Sequence, residues 1–261
     1  MSEETPMDDQ KPLASVGLAP TDRDDAGPVG PAGPAEPAEP TTQPARPTLD
    51  RDEQAIKDGV LRMGSLVEAQ ILAAIDALVD HDAAGAERVI IGDRRVNEAQ
   101  REVTTLIART IATQQPVARD LRFLLSLDHV AYELERIGDH AASVAKAVIK
   151  LSAEPPLKAY IDIPEMGRLG AELVRGILRA LVTIDDGLAR QVAARDDEID
   201  HLYHRIFGEV VDLMRADPDN VERGTRILLA SHYLERIGDR VTNIAEDVVY
   251  LASGEVEDLN P

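Results

Sequence analysis

Cysteine and tryptophan are absent from this chain, and only two of its 261 residues are phenylalanine. Without cysteine there is no disulfide framework, no thiolate metal site and no thiol nucleophile. A basic excess is missing as well: 48 acidic against 28 basic side chains leave a formal net charge of −20. Nucleic-acid binding depends on a positive footprint, so that class is set aside. No run of about 18 apolar residues occurs, so no membrane-spanning helix is expected. The opening MSEETPMDDQ has no basic start and leads into no apolar core, so no secretory signal is expected and the cytoplasm is the expected location. There is no GxSxG and no glycine-rich phosphate loop, and no catalytic residue is assigned.

What is present changes character near position 48. Residues 1–48 hold ten of the sixteen prolines and few large apolar side chains. Such a stretch cannot bury enough surface to offset its ordering entropy, so it is expected to be a disordered tail. The rest reads as helix, in six segments: 50–81, 82–113, 116–151, 163–186, 188–216 and 218–252. Pro116, Pro164 and Pro218 stand where a first-turn proline would begin a helix.

The string LERIGD occurs at Leu134–Asp139 and again at Leu234–Asp239, 100 positions later. Around it runs an apolar seam in steps of three and four: Leu234, Ile237, Val241, Ile244, Val248 and Leu251. One hundred positions earlier stand Leu134, Ile137, Ala141, Val144, Val148 and Leu151. The preceding segments match at a shift of 103, with Val89, Val96, Ala99 and Val103 answering to Val192, Ile199, Leu202 and Ile206. Whole helices are therefore duplicated. The expected fold is all-α: two tandem three-helix bundles, residues 49–151 and 164–252, joined by a linker at 152–163 and followed by a short tail at 253–261.

Beside each seam lie carboxylates. Glu135 and Asp139, and Glu235 and Asp239, are four apart, hence on one helix face about 6 Å from each other. The partner helix supplies Asp93 and Asn97 in one copy and Asp196 and Asp200 in the other. Counting outward from hairpin turns at about 114 and 217 sets Asp93 opposite Glu135, and Asp196 opposite position 238. Asn243 and Asp247 extend the line in the second copy, where the first has Ser143 and Ala147. Clustered carboxylates repel unless protons or cations neutralise them, and hard cations take oxygen ligands. A cluster of two or more cations per copy is one reading; a solvated acidic face with ion pairs from Arg136, Arg236 and Arg240 is the other. His204 continues the line of Asp196 and Asp200 with His201 nearby, which would favour zinc or iron; His140 is a weaker candidate. Gly138 and Gly238, mid-helix at a cost of ~1 kcal/mol each, imply either close helix packing or room left for an ion.

These residues resemble the PhoU family of bacterial phosphate-signalling accessory proteins. The likeness rests on LERIGDHAASVAK (134–146), LERIGDRVTNIAEDV (234–248) and QQPVARDLR (114–122). It implies a pseudo-twofold all-α fold whose E/DxxxD motifs bind multinuclear iron or zinc clusters, with manganese or magnesium as alternatives. Carried across, the motif positions are Glu135 with Asp139, Glu235 with Asp239, and Asp196 with Asp200. Asp93 matches, whereas Asn97 replaces the second acid and weakens the first site. The resemblance further implies a non-enzymatic adaptor between the ATPase subunit of the phosphate ABC transporter (PstB-like) and a sensor histidine kinase (PhoR-like). It would repress the phosphate-starvation response when phosphate is plentiful, with a homodimer as the expected assembly. The competing class is a ferritin-like di-metal oxidase or metal-storage bundle, which wants Glu-x-x-His; HYLE (232–235) runs in the reverse order.

Overall fold

The computed structural model describes residues 46–259. The tail expected over residues 1–48 therefore lies outside the described residues, apart from its last three positions. Of these, Pro47 and Thr48 already belong to the first helix, where the proline's fixed φ suits the first turn.

The described chain is helical throughout, with no strand: α1 (Pro47–Val79), α2 (Ala83–Gln114), α3 (Ala118–Leu151), α4 (Asp162–Thr183), α5 (Asp186–Ala193), α6 (Asp196–Ala216) and α7 (Val221–Ser253). A 3-10 turn, Pro218–Asn220, leads into α7. α5 and α6 are the expected fifth segment, interrupted at Ala194 and Arg195, whose φ of −61° and −82° keep them close to helical. Pro116 is not a first-turn proline: it precedes the extended Val117, and α3 starts only at Ala118. Among the described residues no helix is long and apolar enough to cross a membrane.

The duplication extends to helices where the sequence reading did not trace it. Met63 and Gly64 in α1 answer to Met166 and Gly167 in α4, again 103 positions on. A Cβ at Gly64 would overlap the Leu178 side chain, and one at Gly167 would overlap Ile75. Ile75 and Leu178 are themselves 103 apart, so α1 and α4 cross through a reciprocal pair of glycine sockets. The hairpin turns match too. His81 and Ile184 both take the left-handed conformation (φ 52° in each), and each is followed by an aspartate, Asp82 or Asp185. Asp185 accepts the Leu188 N–H and so caps α5.

α3 and α7 run antiparallel, as His129 meets Asp247 while His140 stacks on Tyr233. All six seam residues of α3 are buried; in α7 five are, with Leu251 half-buried. Buried side chains from all seven helices form one continuous core. Each large aliphatic group buried there contributes about 1.5–3 kcal/mol. The two repeats thus share a single interior. Beyond α7 the chain turns at Gly254, and Glu257 pairs with Arg190 of α5 at 2.6 and 2.8 Å.

Candidate functional site

The glycines of the two LERIGD strings mark where carboxylates enter. Asp196, the first residue of α6, presses its carboxylate against Gly238, so that a Cβ there would overlap Asp196 Oδ1. Asp93 of α2 stands over Gly138 in the same way but less tightly, with Oδ1 3.3 Å from where a Cβ would be. The room that each glycine leaves is filled by a carboxylate from the neighbouring helix. Counting from the turn had set Asp196 opposite 238, as observed. Asp93 falls opposite 138 rather than 135, because the first turn centres on Pro116 instead of residue 114.

In the second repeat four acids meet. Burial, then repulsion from Asp200, Asp239 and Glu235, pushes the Asp196 carboxyl up to about 7. Asp200 and Glu235 are raised as well, by burial first and then by Asp239. Asp196 is only 6% exposed, and its Oδ1 has no hydrogen-bond partner; neither has the buried Glu235 Oε2. His232 Nδ1 lies 3.4 Å from Glu235 Oε2, near enough for electrostatic attraction but not placed to form a hydrogen bond. Arg236 pairs with Asp239 at 2.8 Å. His204 faces Asp200 and partly offsets its charge. His201 lies apart, in a groove of about 800 Å³ between α4 and α6.

In the first repeat Asp93, Glu135 and Asp139 come together: burial raises the Glu135 carboxyl, and Asp139 and Asp93 add to it. Asp139 is raised by burial and Asp93. Here, however, both oxygens of Asp93 are satisfied. Gln70 Nε2 donates to Oδ1 at 3.0 Å, and Asn97 Nδ2 donates to Oδ2 at 2.8 Å. Gln70 Nε2 also reaches the Gly138 carbonyl at 3.2 Å.

Asn243 and Asp247 take part in a different cluster. Asn243 lies beside Glu133 of α3 and helps hold its carboxyl down, and Asp247 bonds to His129 Nδ1 at 2.7 Å. His129 Nε2 lies 3.4 Å from Glu133, which is 2% exposed and also meets Arg240 at 3.4 Å. His140 is half-buried against Tyr233, and burial with the cations Arg240, Arg236 and Arg136 pulls its imidazole down to about 4.

Four carboxylates with two buried, unpartnered oxygens form a donor set that suits a hard or borderline cation. Among the described residues no three His, Asp or Glu side chains are already gathered as a ready ligand set, so binding would draw the carboxylates inward. The sequence reading missed Gln70, Glu133 and His129. Aligning α1 with α4 at the 103 shift would have exposed the first, since it sets Gln70 against Leu173.

Fold and site together define an internally duplicated all-α protein with one carboxylate cluster in each repeat. The PhoU domain model matches residues 60–148 and again 163–248, and the chain belongs to the PhoU family. The phosphate-specific transport system accessory protein PhoU homolog of Clostridium acetobutylicum is 38% identical over 216 residues, covering 82% of this chain and 99% of that protein. The homolog of the same name from Pseudomonas aeruginosa is 37% identical over 201 residues, covering 76% of this chain and 83% of the other. The crystal structure of PhoU from Pseudomonas aeruginosa superposes with a TM-score of 0.76 at 35% identity, covering 79% of this chain and all of that one. That of the Streptococcus pneumoniae regulatory protein PhoU gives 0.75 at 31%, covering 80% and 99%.

Proposed function

We propose that this protein is a non-enzymatic, cytoplasmic regulator of phosphate uptake and signalling. It acts as an adaptor between the ATPase subunit of a phosphate ABC transporter and a sensor histidine kinase, and it represses the phosphate-starvation response when phosphate is plentiful. A homodimer is the assembly expected for this role. The observation that carries the reading is the match of the PhoU domain to both repeats, with 38% identity over 82% of the chain to a protein named as a phosphate-transport accessory. An acidic, double helical bundle suits docking onto partner surfaces.

The second part of the reading is cation binding at Asp196, Asp200, Glu235 and Asp239. Iron or zinc is the expected metal, with His204 and His232 at its margin; manganese and magnesium are the alternatives. The unpartnered Asp196 Oδ1 supports it, because a buried carboxylate oxygen without a donor is unfavourable until a proton or cation arrives. A bound cation would neutralise the cluster and hold α6 against α7, fixing the surface that partners meet.

The regulatory role is tested in cells. Deleting the gene should leave phosphate-responsive transcription on in phosphate-rich medium, and restoring the gene should switch it off. Normal repression in a deletion strain that holds no second copy would overturn the adaptor reading. Elemental analysis of protein purified without chelator would name the metal.

A further inference from the structure

The two carboxylate clusters are related by the internal repeat, yet their surroundings differ, and two of the differences concern hydrogen-bond donors to the central aspartate. In the first repeat Asp93 is held at both oxygens by amide groups, Gln70 from α1 and Asn97 from its own helix. In the second repeat the residue matching Gln70 is Leu173 and the one matching Asn97 is Asp200. Asp196, the counterpart of Asp93, is 6% exposed and keeps an Oδ1 with no donor at all. The glycine carbonyls are served differently too. Gly138 O accepts from Gln70, whereas Gly238 O accepts from Thr242 on its own helix at 3.4 Å.

An amide N–H and a cation compete for the same carboxylate lone pairs. A cation entering the first cluster competes with two hydrogen bonds to Asp93, leaves the buried amide of Gln70 with the Gly138 carbonyl as its one remaining acceptor, and finds three carboxylates instead of four. A cation entering the second cluster breaks no hydrogen bond to Asp196 and satisfies an oxygen that is otherwise unpaired. Leaving a buried polar group unsatisfied costs about 1–3 kcal/mol, so the difference between the sites is large on the scale of ligand affinities.

We infer that Gln70 and Asn97 form an amide latch that closes the first cluster to metal, making the chain a two-repeat protein with a single tight cation site, in the second repeat. Gln70 is a positioning residue here: it acts through Asp93 and stands in for the cation. The duplicated fold is then asymmetric in chemistry, with a hydrogen-bonded repeat as fixed scaffold and an ion-dependent repeat as the half that responds to metal. This inference rests on the cation reading above.

The test is zinc binding to the full chain after stripping with chelator, followed by calorimetry and by elemental analysis after dialysis. The wild type should show one tight class of sites, and Asp196→Asn with Glu235→Gln should abolish it. Gln70→Leu with Asn97→Asp, which writes the second repeat's chemistry into the first, should add a second class. That class should bind roughly 10- to 100-fold more tightly than whatever weak binding the native first repeat has, the range seen when residues supporting metal ligands are changed. Asn97→Asp alone, a swap on a partly exposed helix face, should give a smaller gain in the same direction and covers the case in which the double variant fails to fold. A purely structural role for Gln70 would move melting temperature and leave zinc stoichiometry alone. If the wild type binds zinc equally in both repeats, so that the Asp196→Asn, Glu235→Gln protein keeps half its metal at native affinity, the latch is overturned and the cation reading stands. If neither the wild type nor the latch variants bind zinc, both are overturned.

Discussion

At the scale of the residue, the decisive observation is that a glycine and an aspartate on different helices are fitted to each other. Gly238 costs its helix ~1 kcal/mol of propensity, and the space gained admits the buried Asp196 carboxylate. Substituting Gly238→Ala restores that propensity but drives a methyl group into Asp196 Oδ1. The net effect should be destabilisation by ~1–3 kcal/mol, the usual penalty for overpacking. Gly138→Ala meets Asp93 Oδ1 only at 3.3 Å, so the contact roughly offsets the propensity gain and the change should lie within ~1 kcal/mol of zero. Chemical denaturation of both variants would decide; equal stabilisation of both would mean that the carboxylates yield freely and that the glycines serve another purpose. The pairing was half legible beforehand. Hairpin counting set Asp196 opposite position 238 because the second turn was placed correctly. It missed Asp93's true neighbour because Pro116 lies ahead of α3 in extended chain. No count along a hairpin could reveal Gln70, which arrives from a third helix.

At the scale of the element, the α3–α7 pair carries the repeat's broken symmetry. The internal twofold relates His129, Glu133, Arg240, Asn243 and Asp247 to Leu229, Tyr233, His140, Ser143 and Ala147, each 100 positions away. One end of the contact is therefore a charged network and the other a histidine stacked on a tyrosine. Hydrogen bonds to Asp247 and then Glu133 push the His129 imidazole up to about 10, against the opposing effect of burial. Tyr132 stacks on the outer side, and Arg240 and Asn243 complete the ring of groups around Glu133. A histidine whose folded-state pKa exceeds its unfolded value binds more protons when folded. Its contribution is whole below about 6.5 and is lost as pH rises through about 10. Replacing His129→Leu, the residue of the related position, should lower the melting temperature clearly at pH 6.5. The gap from wild type should close towards pH 10, although the half-exposed ring keeps the effect modest. A gap that does not change with pH would show that His129 acts through packing and carries no charge of consequence. The helices themselves were legible from apolar periodicity, whereas the break between α5 and α6 was not. It contains neither glycine nor proline, and its backbone angles are almost helical, so nothing in the residue types announces it.

At the scale of the whole molecule, duplication suggests two bundles that could stand alone, and the packing argues that they cannot. Reading each repeat as a three-helix unit accounts for α2 against α3 and for α6 against α7. It leaves out α1 crossing α4 through the Gly64 and Gly167 sockets, and α3 lying along α7. Periodicity shows which face of a helix is apolar and is silent on whether the covering surface belongs to the same repeat. Separating the halves would expose Ile75 and Leu178, each at most 8% exposed in the whole chain, together with the inter-repeat faces of α3 and α7. It would also leave Glu133 without Arg240 and Asp247 without His129. The apolar area uncovered spans two helix–helix contacts, while each half retains only one hairpin and a third helix to hold it. The full chain should therefore unfold in one cooperative transition. Residues 46–151 and 162–259 expressed separately should be helical but expanded, should bind hydrophobic dye and should lack a sharp melting transition. Calorimetry of the three proteins is the measurement. Two independent transitions in the full chain, each reproduced by one isolated half with its own sharp melt, would show that the shared core adds nothing to stability, and that the ion-dependent repeat could change its state without moving its neighbour.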